Sequence, residues 1–400
     1  MKVSVIGLGY VGLGIALGAA KSNQVIGFDL SLDKISSLKK GISYIEGITN
    51  SEIVTATSSN SFKPTNDPRE LEGSSVVVIC VPTPLSDDRN PDLSFVNSAC
   101  DYIARNLTNS ALIINESTSF PGTLRDLIVT RIESQTSVKH EYASSPERVD
   151  PGNANWDLSN TPRLISGLTE SATKKAIEFY SSFANKIVSV SSPEVAETAK
   201  LFENTFRQVN IALVNELAII CGALNINVFD VINAASTKPY GFMKFVPGPG
   251  VGGHCIPVDP SYLAYSAVQA GVRARFIDLA NQVNLDMPKY VIERSSKILG
   301  SLKNKKVLIA GVSYKPGIAD VRETPAELIR NEAISNGADV SWFDPIVESW
   351  EPGKVEKLEP GAFDLAIFQT IHPEMNIELI KKSAKHAFDC TGKVSGVESI

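Results

Sequence analysis

Cys255 stands inside the run PGPGVGGHCIPVDP (247–260), four residues before Asp259. Four glycines and four prolines punctuate that run, which therefore continues neither a helix nor the middle of a sheet. The spacing predicts a thiol displayed on an irregular loop; a structural cysteine on a core element is the alternative reading. A displayed thiolate can attack an aldehyde to give a thiohemiacetal, which hydride transfer to a nicotinamide oxidises to a thioester that water then releases as an acid. Such chemistry needs a cation or amide for the oxyanion, and carboxylates to manage protons and water. Lys200, Asn204, Glu147 and Asp259 supply that set. An ammonium beside the cysteine would also favour the thiolate. His254 adjoins Cys255, but neighbours in an extended loop point apart, so it reads as a loop or substrate contact and not as the base. The four histidines (His140, His254, His372, His386) have no ligand spacing, and no metal is expected.

The elements that must position these groups have an α/β rhythm. Lys2–Ile6 is a predicted strand, succeeded at once by Gly7-Leu8-Gly9-Tyr10-Val11-Gly12, a helix over Gly14–Lys21 and a second strand, Gln24–Phe28, ending at Asp29. This is a dinucleotide fingerprint in its strand–turn–helix context. Gly7 makes the turn, Gly9 lets backbone approach a pyrophosphate and Gly12 lets helix pack on strand. Tyr10 and Val11 belong to the cofactor-binding turn, and the N–H groups at the start of the helix that follows face the phosphates. Asp29 would accept from a ribose diol, favouring NAD over NADP. Lys34 either reaches the adenosine side or is solvated. The apolar runs Ser75–Val81, Ala111–Asn115 and Glu141–Ser144 are predicted buried parallel strands. Thr83, Thr118 and Glu147 lie just past their ends, on the rim where open α/β sheets bind ligands. Each could instead be a cap or turn residue.

Ser192-Pro193-Glu194 is a helix start, and no glycine or proline appears again until Gly222. The expected helix of about 30 residues is apolar on much of its surface, so burial on more than one side and a homodimer face are expected. Lys200, Asn204 and Arg207, at i, i+4 and i+7, share one stripe. They read as a ligand-facing set or an interhelix network. Lys306–Ala310 begins a second α/β unit whose first turn, Gly311-Val312-Ser313-Tyr314-Lys315, has one glycine and not three. It should not hold a second dinucleotide in the same way. Lys315 and Arg322 bracket that turn and read as phosphate ligands or as solvated cations. The expected fold is α/β: two Rossmann-like doubly wound domains (1–190 and 299–400) joined by a long central helix and a helical middle region (191–298).

Composition bounds the class. The 400 residues are 43% apolar and carry a net charge of −6 with no basic block, which argues against nucleic acid and anionic membrane surfaces as partners. Five scattered cysteines without paired spacing favour a reduced, cytoplasmic setting. The start MKVSVIG reads as a strand and not a signal peptide, and no apolar run of membrane-spanning length is expected.

In chain order the sequence carries GLGYVG at Gly7–Gly12, CVPTP at Cys80–Pro84, EST and PGT within Glu116–Thr123, SPERVDPGN at Ser145–Asn153, KLFENTFRQVNIALVNE at Lys200–Glu216, PGPGVGGHCIPVDP, and SYKPGIADVRETP at Ser313–Pro325. Together they resemble the UDP-glucose/GDP-mannose dehydrogenase family along essentially the whole chain. The resemblance implies four-electron oxidation of a sugar-nucleotide CH2OH to a carboxylate with two NAD+, without release of the aldehyde. It implies Cys255 as nucleophile, with Lys200 and Asp259 handling protons, oxyanion and water. Asn204 would contact substrate and oxyanion, while Glu147 and Thr118 would position substrate, water and nicotinamide. It assigns Lys315 to the sugar nucleotide and Arg322 to NAD, and makes Phe242–Gly250, with Phe245, Gly248 and Gly250, line the sugar and uridine pocket. Arg148, Arg207 and His254 join the substrate-binding set. GGHCIPVDP in place of GGSCFPKD, and SPERVDPGN in place of NPEFLREG, resemble the N-acetylhexosamine branch. STKPYGF at Ser236–Phe242 resembles the N-acetylglucosamine enzymes, with N-acetylmannosamine and glucose as alternative sugars.

Overall fold

The computed structural model describes the chain except Glu46, Asp87, Asp88, Asp150, Pro151, Gly152, Ala154 and His254. Two sheets carry the fold. The first runs β3-β2-β1-β4-β5-β6-β7-β8, built from β1 (Lys2–Ile6), β2 (Gln24–Phe28), β3 (Phe62–Thr65), β4 (Val76–Ile79), β5 (Leu112–Asn115), β6 (Glu141–Ser144), β7 (Arg163–Gly167) and β8 (Ile187–Ser189). β1 lies between β2 and β4, the doubly wound order expected from the fingerprint. Among its described pairings only β6 with β7 is antiparallel. The second sheet is parallel and runs β10-β9-β11-β12-β13, from β9 (Lys306–Ala310), β10 (Asp339–Phe343), β11 (Phe363–Phe368), β12 (Ala384–Asp389) and β13 (Glu398–Ser399).

Alternation explains why each sheet is covered on both faces. Val3, Val5, Val76 and Val78 join one core, whereas Ile6, Val77 and Ile79 join another. In the second sheet Val307, Ile309, Leu365 and Ile367 face one cluster and Leu308, Ala310, Ala366 and Phe368 the other. Parallel strands enclosed this way read as continuous apolar runs, which is why β4, β5 and β9 are legible in the sequence. The chain divides into two compact units, Met1–Glu203 with Ser261–Val272, and Asn204–Pro260 with Arg273–Ile400.

Helix Tyr10–Ala20 begins four residues before the expected Gly14. Gly12 and Gly14 lie inside it: sequence reasoning takes glycine as a breaker, but at Gly12 packing requires it. The long helix spans Pro193–Leu224, 32 residues, continuing past Gly222, where a Cβ would meet the Tyr290 hydroxyl at 2.3 Å. Expected burial on more than one side is not met within one chain. Leu201, Ala212, Ala218 and Cys221 are buried, but Phe202, Leu213 and Leu224 are 61%, 60% and 62% exposed. By length and composition this helix could also cross a membrane, which corrects the expectation that no run reaches that length. Its buried polar side chains have protein partners, however: Gln208 donates to Asn281, and Asn215 donates to Asn284 at 2.9 Å, both on helix Arg275–Leu299.

Candidate active site

The first unit holds the cofactor turn. Gly7 has φ +92° and its N–H donates to the Phe28 carbonyl at 2.8 Å; a Cβ there would sit 2.4 Å from the Cys80 carbonyl oxygen. A Cβ on Gly12 would lie 1.8 Å from the Gly7 oxygen, so both positions require glycine. A Cβ on Gly9 would have no heavy atom within 4 Å, leaving the backbone open on the side a pyrophosphate needs. Helix Tyr10–Ala20 starts there with no side-chain cap at Gly9 and no acid in its first turn. These features fit a dinucleotide: an open helix N-terminus for phosphates and glycines that let backbone close in.

Asp29 does more than wait for a ribose. Its Oδ2 accepts from Leu8 N–H at 2.8 Å and from Lys34 Nζ at 3.0 Å, and its Oδ1 accepts from Ser31 N–H at 2.9 Å. Lys34 is thus an ion-pair partner of Asp29, a reading that neither sequence alternative contains. Tyr44, which no motif marks, donates to the Leu8 carbonyl at 2.7 Å.

Thr83 and Thr118 lie past β4 and β5 on the same rim; Thr83 is buried and Thr118 half-buried. Ser117 ties the two loops, its hydroxyl accepting from Val81 N–H at 2.9 Å and donating to Val81 O at 2.8 Å. The long helix grips the same segment. Glu197, 1% exposed, accepts from Gly122 N–H at 2.7 Å and Leu124 N–H at 3.1 Å. Burial pushes its carboxyl up to about 8 despite those bonds. Lys200 lies one turn later on that helix and is half-buried.

Glu147 is buried just past β6. Its Oε1 accepts from the N–H groups of Arg148 at 2.6 Å and Val149 at 2.7 Å, and its Oε2 from Arg163 Nη2 at 3.1 Å. Burial alone would raise this carboxyl, but Arg163 and the two amides hold it below the usual carboxylate range. The Arg148 guanidinium is committed to Glu203, at 2.6 and 3.1 Å, and to the Pro162 carbonyl at 2.7 Å. Arg163, Glu116 and Tyr180 form a buried set behind Glu147 that motif reading does not reveal. The available signal is a charge heading an otherwise apolar strand, and another closing one, since buried charges need partners.

The second unit holds the thiol. Cys255 is exposed, and its carbonyl accepts from Asp259 N–H at 2.8 Å, where helix Asp259–Gln269 begins. Asp259 is buried and accepts from Asn204 Nδ2 at 2.5 Å. Asn204 is therefore satisfied by an acid rather than by a stripe shared with Arg207, which is exposed. Gly248 N–H donates to Asn215 Oδ1 at 2.9 Å, and the Phe245 ring lies 6.0 Å from that of Phe206. The glycines of the loop have a use the sequence does not reveal. A Cβ on Gly252 would meet the Glu323 carbonyl and Tyr314 Cβ at 2.7 Å, and one on Gly253 would meet the Tyr314 ring at 2.7 Å. A Cβ on Gly250 would meet the Asn284 carbonyl at 3.2 Å, and Gly253 N–H donates to the Arg322 carbonyl at 3.2 Å. The Cys255 loop is thus seated on the segment that carries Lys315 and Arg322. Lys315 is half-buried; Arg322 is gripped by Asp320, through Nε at 2.9 Å and Nη2 at 2.5 Å. His254 lies outside the described residues.

The turn after β9 repeats the first turn. Gly311, φ +78°, donates to the Phe343 carbonyl at 2.8 Å, and Val312 N–H donates to Asp344 Oδ2 at 2.8 Å. Asp344 is closed off: Oδ1 takes Ile346 and Val347 N–H at 3.0 Å each, and His372 Nε2 lies 3.0 Å from Oδ2. His372 Nδ1 accepts from Gly317 N–H at 3.0 Å, so the proton sits on Nε2. Ser313 also approaches Nε2, at 3.1 Å, so serine and aspartate share one nitrogen and no hydrolytic relay is formed.

Comparison with known proteins matches residues 1–184 to the UDP-glucose/GDP-mannose dehydrogenase family, NAD binding domain, 194–286 to its central domain and 308–391 to its UDP binding domain. The chain is 35% identical to a UDP-N-acetyl-D-mannosamine dehydrogenase of Pyrococcus horikoshii, covering 98% of this chain and 95% of that one. It is 34% identical to a UDP-N-acetyl-D-glucosamine 6-dehydrogenase of Pseudomonas aeruginosa, over 96% and 94%. A solved structure of UDP-D-ManNAc dehydrogenase from Pyrococcus horikoshii superposes with a TM-score of 0.91 at 32% identity, over 100% of this chain and 99% of that one.

Proposed function

This chain belongs to the UDP-glucose/GDP-mannose dehydrogenase family and is an NAD-dependent nucleotide-sugar dehydrogenase, and from that premise we propose that it oxidises the C6 hydroxymethyl of a UDP-N-acetylhexosamine to a carboxylate. The observation that carries the reading is the exposed Cys255 thiol on a loop seated against the Lys315–Arg322 segment, one turn before a buried Asp259–Asn204 pair. The Gly7–Gly12 turn would hold NAD+, which would supply a hydride acceptor for each of the two oxidations. Cys255 adds to the aldehyde carbon to form a thiohemiacetal, and loss of hydride from it leaves the thioester. Water cleaves the thioester, so one CH2OH, two NAD+ and one water give one carboxylate, two NADH and protons. Lys200 and Asn204 stabilise the oxyanion, Asp259 handles protons and water, and Glu147 with Thr118 orients the reacting groups. Lys315 binds the sugar nucleotide and Arg322 the cofactor.

STKPYGF supports N-acetylglucosamine as the sugar. N-acetylmannosamine is the second reading, supported by relatives at comparable identity named for that sugar. NADH formation over a panel of UDP-sugars separates them; silence on every N-acetylated sugar overturns the class. Two NADH per sugar are expected, and one would reduce the reaction to a two-electron oxidation. The exposed Phe202, Leu213 and Leu224 support pairing of two copies through the long helix, and light scattering should give twice the chain mass.

A further inference from the structure

A device behind Glu147 goes beyond the motif set; the inference rests on the reading of Glu147 as an active-site carboxylate. β7 is antiparallel to β6, with Ser144 opposite Ser166. Continuing that register three residues past Ser144 sets Arg163, the first residue of β7, opposite Glu147. Arg163 is 4% exposed and serves two acids. Its Nη2 donates to Glu147 at 3.1 Å, while Nη1 donates to both oxygens of Glu116, at 2.6 and 2.7 Å. Ser145 Oγ lies 3.3 Å from Nη1, the Tyr180 ring stacks 4.7 Å from the guanidinium carbon, and the Tyr180 hydroxyl donates to Glu116.

We propose that Arg163 and Glu116 are positioning residues for Glu147: the guanidinium aims that carboxylate and holds it ionised, and Glu116 competes for the same cation. One cation cannot compensate two buried carboxylates. Burial accordingly pushes the Glu116 carboxyl up to about 7, against the pull of Arg163, while Glu147 keeps its charge with the help of two backbone amides. The other titratable groups facing the set, Cys80 and Tyr180, are both pushed up by burial and stay neutral. Below about pH 7 Glu116 takes the proton and Arg163 belongs to Glu147; above it the cation is shared.

The test compares kcat against pH for the wild type, R163M, E116Q and E116Q/R163M. R163M should move the acid limb up by about 1–3 pH units, because the ionised carboxylate has lost its counter-ion. The double variant should keep the R163M limb, because Glu116 without the cation is already protonated in that range; E116Q alone should stay within about three-fold of wild type at neutral pH and lose the carboxyl that titrates near 7. A limb that stays fixed in folded variants, or a carboxyl titrating near 7 that persists in E116Q, overturns the proposal. If R163M does not fold, the uncharged double variant against wild type carries the same test, with an upward limb expected and a fixed limb refuting it. Infrared titration of the carboxylate bands reads these shifts without turnover. Inactivity on every sugar nucleotide therefore counts against the activity reading, and a fixed titration counts against this one.

Discussion

The turns after β1 and β9 use one backbone device for two ends. In each, a glycine with positive φ donates to the last carbonyl of the neighbouring strand. In each, the next N–H donates to an aspartate one residue beyond that strand, Asp29 or Asp344. Beyond the turn the two diverge. After Gly7 a helix begins within three residues and Gly12 brings it against the turn, leaving amides and a partly accessible acid for a dinucleotide. After Gly311 the chain wanders through Lys315 and Arg322 before a helix starts at Pro325, and His372 with three amides closes Asp344 away. The turn is thus a folding device; ligand choice lies in what surrounds it.

Gly12→Ala should have the largest effect. A methyl 1.8 Å from a backbone oxygen must push the helix away, so NAD affinity should fall by at least about a hundred-fold in a calorimetric titration. Gly311→Ala, whose methyl would lie 1.9 Å from the Thr370 oxygen, should cost roughly 1–3 kcal/mol of stability and leave NAD affinity within about two-fold. Equal loss of NAD affinity in both would break the comparison.

Asp344→Asn should cost about 2–3 kcal/mol in denaturant unfolding, because three backbone N–H groups and His372 Nε2–H lose a carboxylate acceptor, whereas Asp29→Asn should weaken NAD about ten-fold with little change in stability. Burial opposes ionisation of Asp344, but His372 and the amides hold its carboxyl below the ordinary range. Its contribution is therefore present above the unfolded-state value of about 4 and lost as pH falls through the lower folded value. Wild type and Asp344→Asn should converge in stability only in that acid window.

His372→Ala removes the acceptor for Gly317 N–H and loosens the segment carrying Lys315. About 1 kcal/mol, roughly five-fold in KM for the sugar nucleotide with kcat nearly unchanged, is expected from steady-state kinetics. Lys34→Ala should do least. Its exposed bridge to Asp29 is worth under about 1 kcal/mol, so NAD affinity should stay within roughly two- to three-fold.

Much of the fold is legible because it is local. The β1–turn–β2 unit, the apolar runs of β4, β5 and β9, and the long helix come from spacing within a few residues of each position. The strand β7 escapes such reading: RLISG is short and begins with a charge that only a distant partner explains. Helix Tyr10–Ala20 is expected too late because glycine reads as a breaker until the carbonyl it must clear is known.

Contiguous motifs suffice for the α/β architecture, the NAD turn and the family, since the backbone demands of each are met by residues close together in the chain. Who partners whom is settled only when the strands and helices pack. Lys34 belongs to Asp29, Arg148 to Glu203, Asn204 to Asp259, and Arg163 to both Glu116 and Glu147. Those pairings join residues from different strands, helices and loops, and a buried charge settles on whichever counter-charge the packed strands bring within hydrogen-bond reach.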